Sequence, residues 1–453
     1  MSDSFDTDSR NVDPHKRKEY IENNRPISYE ENAVVLVTAG HDHTIRMWDA
    51  LKNVCTRTIP YNDSQVNRMA LSPDKRYLAV VGNPHVKLYD VFSPSQDSIL
   101  SLEGHKACVT AVEFTNDMSY LATSSEDKTI RWWNLRTGVC EKILENDFPV
   151  NDIAIIPKDF HDLIASCDQG GNVRVWSIKK KNLVLQLNIN TDPKQITQSV
   201  RTVAVSPDSK YLVAGNNYGK VFLWKLSISP EYIDLDINEN ADKPGFQNNR
   251  NSINSPSINN KTYVSANILS TFIAHPSKYI TKTLFSGNGK FLVTCSADKT
   301  AKVWIFKSVP VADSTSSINA KSTENTQSNS KPQSRQQSIH GSQNTSPNLN
   351  LESHSINPMS KNSIDTTYSK SESKATYSSD QFKFEIRAEI LHELRRHKSW
   401  VWDAAFSNDS GYLVTVSSDK TASLWDMTHG KSIREFVGHE KGVLCVALND
   451  ATI

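Results

Sequence analysis

Short apolar or alternating runs recur along the chain, each closed by turn residues. Between 105 and 145 they fall at 109–114, 120–124, 129–133 and 140–144, broken by Asn116-Asp117, Glu126-Asp127 and Thr137-Gly138. Runs this short, with period-two alternation and polar breaks, predict β-strands joined by tight turns. The third run of each group ends in an aromatic residue, giving the series Trp48, Tyr89, Trp133, Trp176, Trp224, Trp304 and Trp425. The first four are spaced by 41, 44 and 43 residues, the period of one four-stranded propeller blade. The pattern therefore predicts an all-β fold, a seven-bladed β-propeller.

The first group has only three runs, at 34–40, 44–48 and 55–59, with no inner strand ahead of them. The missing partner is expected at 442–448 (GVLCVAL), so that a C-terminal strand closes the ring by pairing with the N-terminal three. The spacing widens to 80 residues between Trp224 and Trp304 and to 121 between Trp304 and Trp425. Less one repeat, this leaves insertions of roughly 38 and 79 residues. The organisation expected is a disordered tail over 1–32 and a propeller over 33–450, interrupted by disordered insertions over 229–262 and 309–380. The second insertion is dominated by Ser, Asn, Thr and Gln, and neither can bury enough apolar surface to offset chain entropy.

Composition narrows the function classes. A hydrophobic fraction of 37% fits a normal core diluted by long polar stretches. A formal net charge of +1 gives no global field for nucleic acid, and the basic runs Lys179–Lys181 and Arg395-Arg396 are short and separated. No apolar run reaches membrane-spanning length and the first twenty residues are polar, so a soluble, cytoplasmic protein without direct membrane insertion is expected. Six cysteines are scattered without a CxxC pair, which predicts no metal site and no cofactor.

Asp42, Asp127, Asp298 and Asp419 each lie six residues before the repeat tryptophan, and Thr38, Thr123, Thr294 and Thr415 lie four residues before each aspartate. His105, His275 and His397 precede their aspartates by 22 or 23 residues, and His439 is placed to serve the first blade across the closure. Hydroxyl, imidazole, carboxylate and indole N–H can form one buried hydrogen-bonded chain. Because the set recurs with Trp48, Trp133, Trp304 and Trp425, it reads as a structural network and not as a catalytic group. Asn83, Gly170 and Tyr218 occupy the aspartate position in the other three blades, which are expected to be held mainly by packing.

Binding residues are expected at the start of the inner strands, where the positions flanking the central aliphatic share one face near the channel. The flanking pairs are Gln65/Asn67, Cys108/Thr110, Pro149/Asn151, Ser199/Arg201, Tyr279/Thr281, Trp400/Trp402 and Gly442/Leu444. Trp400 and Trp402 stand out, since Trp425 already supplies the indole of that blade. Aromatics rimmed by amides have the composition of a protein-binding hot spot. No convergent ionisable groups are found to line the channel, so no enzyme activity is expected.

The segments VTAGHDHTIRMWDA (37–50), TRTIPYNDSQVNRMALSPDKRYLAVVGNPHVKLYD (56–90), LVTCSADKTAKVW (292–304) and SWVWDAAFSNDSGYLVTVSSDKTASLWD (399–426) resemble the small WD40 subunit of target-of-rapamycin (TOR) kinase complexes, the lethal-with-sec-thirteen family. The resemblance spans 33–450; the tail and both insertions depart from the family's compact form. It implies a non-catalytic subunit of TOR complexes 1 and 2 that binds and stabilises the TOR kinase domain in growth and nutrient signalling. It also implies contact with other subunits through the kinase, and peripheral endomembrane or vacuolar association through the complex. The positions matching the family's kinase contacts are Gln65, Asn67, Trp400 and Trp402. The alternative is a generic WD40 scaffold, such as a G-protein-β-like or ubiquitin-ligase adaptor.

Overall fold

The computed structural model describes residues 34–157, 163–190, 198–229, 264–310 and 384–450. Among these residues, 28 strands form seven antiparallel four-stranded sheets. The blades, in chain order, span 35–60 (blade 1), 68–102, 109–145, 150–188, 200–273, 280–394 and 401–437 (blade 7). The inner strands of successive blades pack side by side all the way round the ring, ending with Val401–Phe406 against Val443–Asn449, which in turn lies against Arg68–Leu71. The architecture is the seven-bladed WD40 propeller expected from the repeat.

Closure also follows the expectation. Val443–Asn449 completes the sheet of blade 1, with Leu36 opposite Leu448 and Thr38 opposite Val446. Asp450 then ties this strand to both neighbours, accepting hydrogen bonds from Lys75 of blade 2 and from the Asn408 N–H of blade 7.

The expected tail lies outside the described residues, as do the bodies of both insertions. The flanking strands run longer than in other blades, Lys220–Ile228 pairing with Val264–Ile273, and Ala301–Pro310 neighbouring Phe384–Leu394. Ala301–Pro310 thus takes in the first two positions assigned to the second insertion. In blade 5 the chain leaves next to the Ile228/Val264 pair, at the end opposite Val200 and Asn216.

The buried apolar residues form seven clusters, each shared between adjacent blades. Between blades 1 and 2, for example, Val37, Ile45, Met47, Ile59 and Tyr61 meet Val66, Leu78, Val80 and Tyr89. Successive side chains of a strand point to opposite faces, so each blade contributes to the clusters on both of its sides.

Four blades carry the predicted polar network. In blade 3, Trp133 Nε1 donates to Thr123 Oγ1 at 2.8 Å, that hydroxyl meets His105 Nε2 at 2.7 Å, and His105 Nδ1 lies 2.8 Å from Asp127. The equivalent contacts to histidine join Thr38 to His439, Thr294 to His275 and Thr415 to His397 at 2.8 Å. The imidazoles reach Asp42, Asp298 and Asp419 at 2.7, 2.6 and 2.9 Å, and the indoles of Trp48, Trp304 and Trp425 each donate to their threonine. Burial alone would raise the pKa of these carboxyls. Hydrogen bonds from the histidine, from a threonine two residues on and from the backbone outweigh it, bringing Asp42, Asp127 and Asp298 down to about 2.

One of the three remaining blades departs from the expectation that packing is its main support. In blade 4, Arg174 is buried and pairs with Asp168 and with Asp147, while Asn146 and Asn172 hydrogen-bond to Asp168. Trp176 finds Ser166 Oγ at 2.8 Å in place of a threonine. Scanning only the aspartate position, where Gly170 stands, overlooked Asp168 two residues earlier. In blade 5, Asn216 accepts the N–H groups of Tyr218 and Lys220 and so takes over the turn role of the missing aspartate.

Candidate functional site

The flanking positions converge on one mouth of the channel, an opening of about 480 Å³ lined from all seven inner strands. A β-bulge produces this. In blades 3 to 7 the ladder skips one residue, so that Thr110, Asn151, Arg201, Thr281 and Trp402 face no partner on the next strand. Leu444 is skipped in the same way in blade 1. A bulge of this kind re-aims the extra side chain, here into the mouth.

Most bulged polar residues then bind the next blade. Thr110 Oγ1 donates to Val150 O at 2.8 Å, Asn151 Nδ2 to Val200 O at 2.6 Å and Thr281 Oγ1 to Val401 O at 2.5 Å. Asn67 belongs to this series, its amide donating to Val109 O at 3.1 Å. Its N–H₂ group is therefore engaged in joining blades 2 and 3. Gln65 accepts from His41 Nδ1 at 2.7 Å and donates to Asn67 Oδ1 at 3.2 Å, so His41 and Asn67 hold it in place.

Trp400 and Trp402 lie on the same mouth as Gln65 and Asn67. Their ring centroids are 5.4 Å apart, and Tyr279 stands edge-on to Trp400 at 5.9 Å. Trp402 Nε1 donates to Ser418 Oγ at 2.6 Å. Trp400 is 38% exposed and Tyr279 47%, far more than the 3% of the blade indole Trp425. The result is an aromatic wall on blades 6 and 7 facing the amides Gln65 and Asn67 at the start of blade 2. Tyr279, Leu444 and Arg201 stood at flanking positions but were not singled out; His41 and Glu126, from turns, were missed.

Below the mouth the channel overturns the expectation that no ionisable groups converge there. Arg68 of blade 2 reaches Asp403 of blade 7 at 3.3 Å and the Thr281 carbonyl of blade 6 at 3.1 Å. Lys282 of blade 6 reaches Asp152 of blade 4 at 3.1 Å. Each pair joins non-adjacent blades and so crosses the channel. Glu113 accepts the Ile155 N–H at 2.7 Å, and burial raises its pKa to about 7. Burial likewise pushes the nearby thiols of Cys167, Cys295 and Cys445 upward, so they behave as inert core residues. Strict alternation assigned Arg68, Asp152, Lys282 and Asp403 to the face of the central aliphatic; the bulge shifts that register in blades 4, 6 and 7. Among the described residues, no group of three or more His, Cys, Asp or Glu is arranged to hold a metal ion, and no helix is long and apolar enough to cross a membrane.

The model of the WD domain, G-beta repeat, matches residues 27–49, 53–90, 96–134, 190–225, 266–304 and 388–426. The matched segments omit all four strands of blade 4, where the unusual Asp168–Arg174 network lies. The chain is 36% identical over 274 residues to target of rapamycin complex subunit wat1 of Schizosaccharomyces pombe, covering 60% of this chain and 75% of that protein. It is 33% identical over 272 residues to target of rapamycin complex subunit LST8 of Saccharomyces cerevisiae, covering 60% and 77%. Identity to the Bos taurus LST8 is 29% over 286 residues, covering 62% and 76%. With this similarity extending over three quarters of its relatives and a seven-bladed ring to carry it, the chain belongs to the LST8 family of WD40 target of rapamycin complex subunits.

Proposed function

We propose that the chain is a non-catalytic subunit of TOR complexes 1 and 2 that grips the TOR kinase domain with its channel mouth and stabilises the kinase's active form. The observation that carries this is the gathering of Trp400, Trp402, Gln65 and Asn67 on one mouth, with Trp400 left exposed where the blade has no structural need of it. Large aromatics in a concave, amide-rimmed site are the usual anchors of a protein interface. Gln65 and Trp400 present surface to the kinase, whereas Asn67 and Trp402 also fix the mouth's shape through Val109 O and Ser418. The ionisable groups deeper in the channel form two salt bridges with each other, which suits a plug better than a catalytic centre. Cytoplasmic location, with endomembrane association through the kinase, follows from the same reading.

The test is co-purification of the TOR kinase with the tagged full-length chain. Changing Trp400 and Trp402 together to Ala should weaken binding by about 2 kcal/mol or more, roughly 30-fold, with little change in melting temperature. Kinase recovered in wild-type amounts by the folded variant refutes the assignment.

A further inference from the structure

The polar groups of the mouth are largely spoken for by the bonds described above. Two charged side chains are exceptions. Arg201, on the bulge of blade 5, and Glu126, in the turn after the second strand of blade 3, both line the mouth and are exposed. Among the described residues neither side chain has a hydrogen-bonding or ion-pairing partner. Blade 4 separates them and contributes Asn151, whose amide is held by Val200 O and Ser199 Oγ. The charges beneath largely cancel in the pairs Arg68–Asp403 and Lys282–Asp152. The local field across the mouth therefore runs from a positive edge at blade 5 to a negative edge at blade 3, with the aromatic wall of Tyr279, Trp400 and Trp402 on blades 6 and 7.

We propose that Arg201 and Glu126 set the direction in which the kinase's docking segment crosses the mouth: an acidic side chain meets Arg201, a basic one meets Glu126, and an apolar one lies against Trp400. This rests on the mouth being the kinase site. A guanidinium at a concave surface favours a carboxylate, which it can hold with two parallel N–H donors. An opposed pair of charges also rejects the reversed segment, since both ends would then face like charge.

The experiment measures the affinity of full-length variants for purified TOR kinase at low and high salt. Arg201→Glu and Glu126→Lys should each weaken binding about ten-fold or more at low salt, while Arg201→Gln should flatten the salt dependence. The double change Arg201→Glu/Glu126→Arg should bind no better than either single change, because the segment still meets like charge at both ends, and turning it round would carry its apolar side chain away from Trp400. Recovery in the double change would mean that the two residues serve each other, and overturns the proposal. Wild-type affinity in both single charge reversals, with binding still lost in Trp400→Ala, also overturns it while leaving the kinase site intact. If Trp400→Ala binds normally as well, the site reading itself falls. Both residues are exposed, so unchanged melting curves are expected for every charge variant.

Discussion

Replacing Glu113 with Gln tests the charged plug inside the channel. In the folded protein, burial lifts this carboxyl from 4.5 to about 7, and Asp152 adds to the rise. The Ile155 N–H and Lys282 pull the other way without cancelling it. The difference, at 1.36 kcal/mol per pH unit, corresponds to about 3 kcal/mol. Because the folded pKa is raised, the folded state keeps its proton where the unfolded chain has released it. Glu113 therefore costs nothing below pH 4.5, costs progressively more stability as pH rises to 7, and levels off above that. Gln is neutral and keeps an oxygen for the Ile155 N–H. The variant should match wild type at pH 4.5 and exceed it by about 1–3 kcal/mol at pH 8, seen as a melting temperature several degrees higher. His105 runs the opposite way, since burial holds its pKa below 6.5 against the pull of Asp127. Its contribution is the same in both proteins and drops out of their difference. Denaturation of both proteins from pH 4.5 to 8 gives that difference directly. A difference that stays flat across this range refutes the assignment of a buried, proton-retaining carboxyl at 113.

Other substitutions test other parts of the ring. Thr415→Val removes the hydroxyl shared by Trp425 and His397 and leaves two buried polar groups unsatisfied, so chemical denaturation should show a loss of about 2–4 kcal/mol. Asp168→Ala removes the buried partner of the Arg174 guanidinium, leaving only the exposed Asp147 carboxylate to balance its charge, and should cost about 3–5 kcal/mol, whereas a double change to Ala and Met should recover much of it in the same assay. Gly219→Ala should give little soluble protein, since φ is +80° and the new Cβ would sit 1.6 Å from the His275 carbonyl oxygen.

The features that could be read from the chain are those set by local repetition. Turn residues and alternation placed the four strands of blade 3 to within a residue at their ends. The fixed offsets of Thr, Asp and Trp located four networks, including the one in which His439 serves Asp42 from the far end of the sequence. What escaped depends on register. Alternation put the flanking residues on the mouth but could not announce the bulge at Trp402 or Asn151, and so it missed the residues just beyond. Arg68 and Asp403, separated by hundreds of positions, carry no sign in the sequence that they meet across a channel. Arg174 was invisible for a different reason: it belongs to a network with a geometry of its own, which a search for the repeating pattern passes over.

The stitching of blade 1 from two distant segments has a kinetic consequence. Thr38 and His439 lie 401 positions apart, so their contact demands closure of nearly the whole ring, a step disfavoured by chain entropy and slow to form. Until Val443–Asn449 docks, the mouth lacks Leu444, the Val35–Gly40 edge of blade 1 is unpaired, and the inner strands of blades 7 and 2 lack the neighbour between them. An unfinished or locally reopened ring thus offers an unpaired strand edge to aggregation and an incomplete mouth. A ligand bound at the mouth would then draw solely on closed rings and stabilise the seam by mass action.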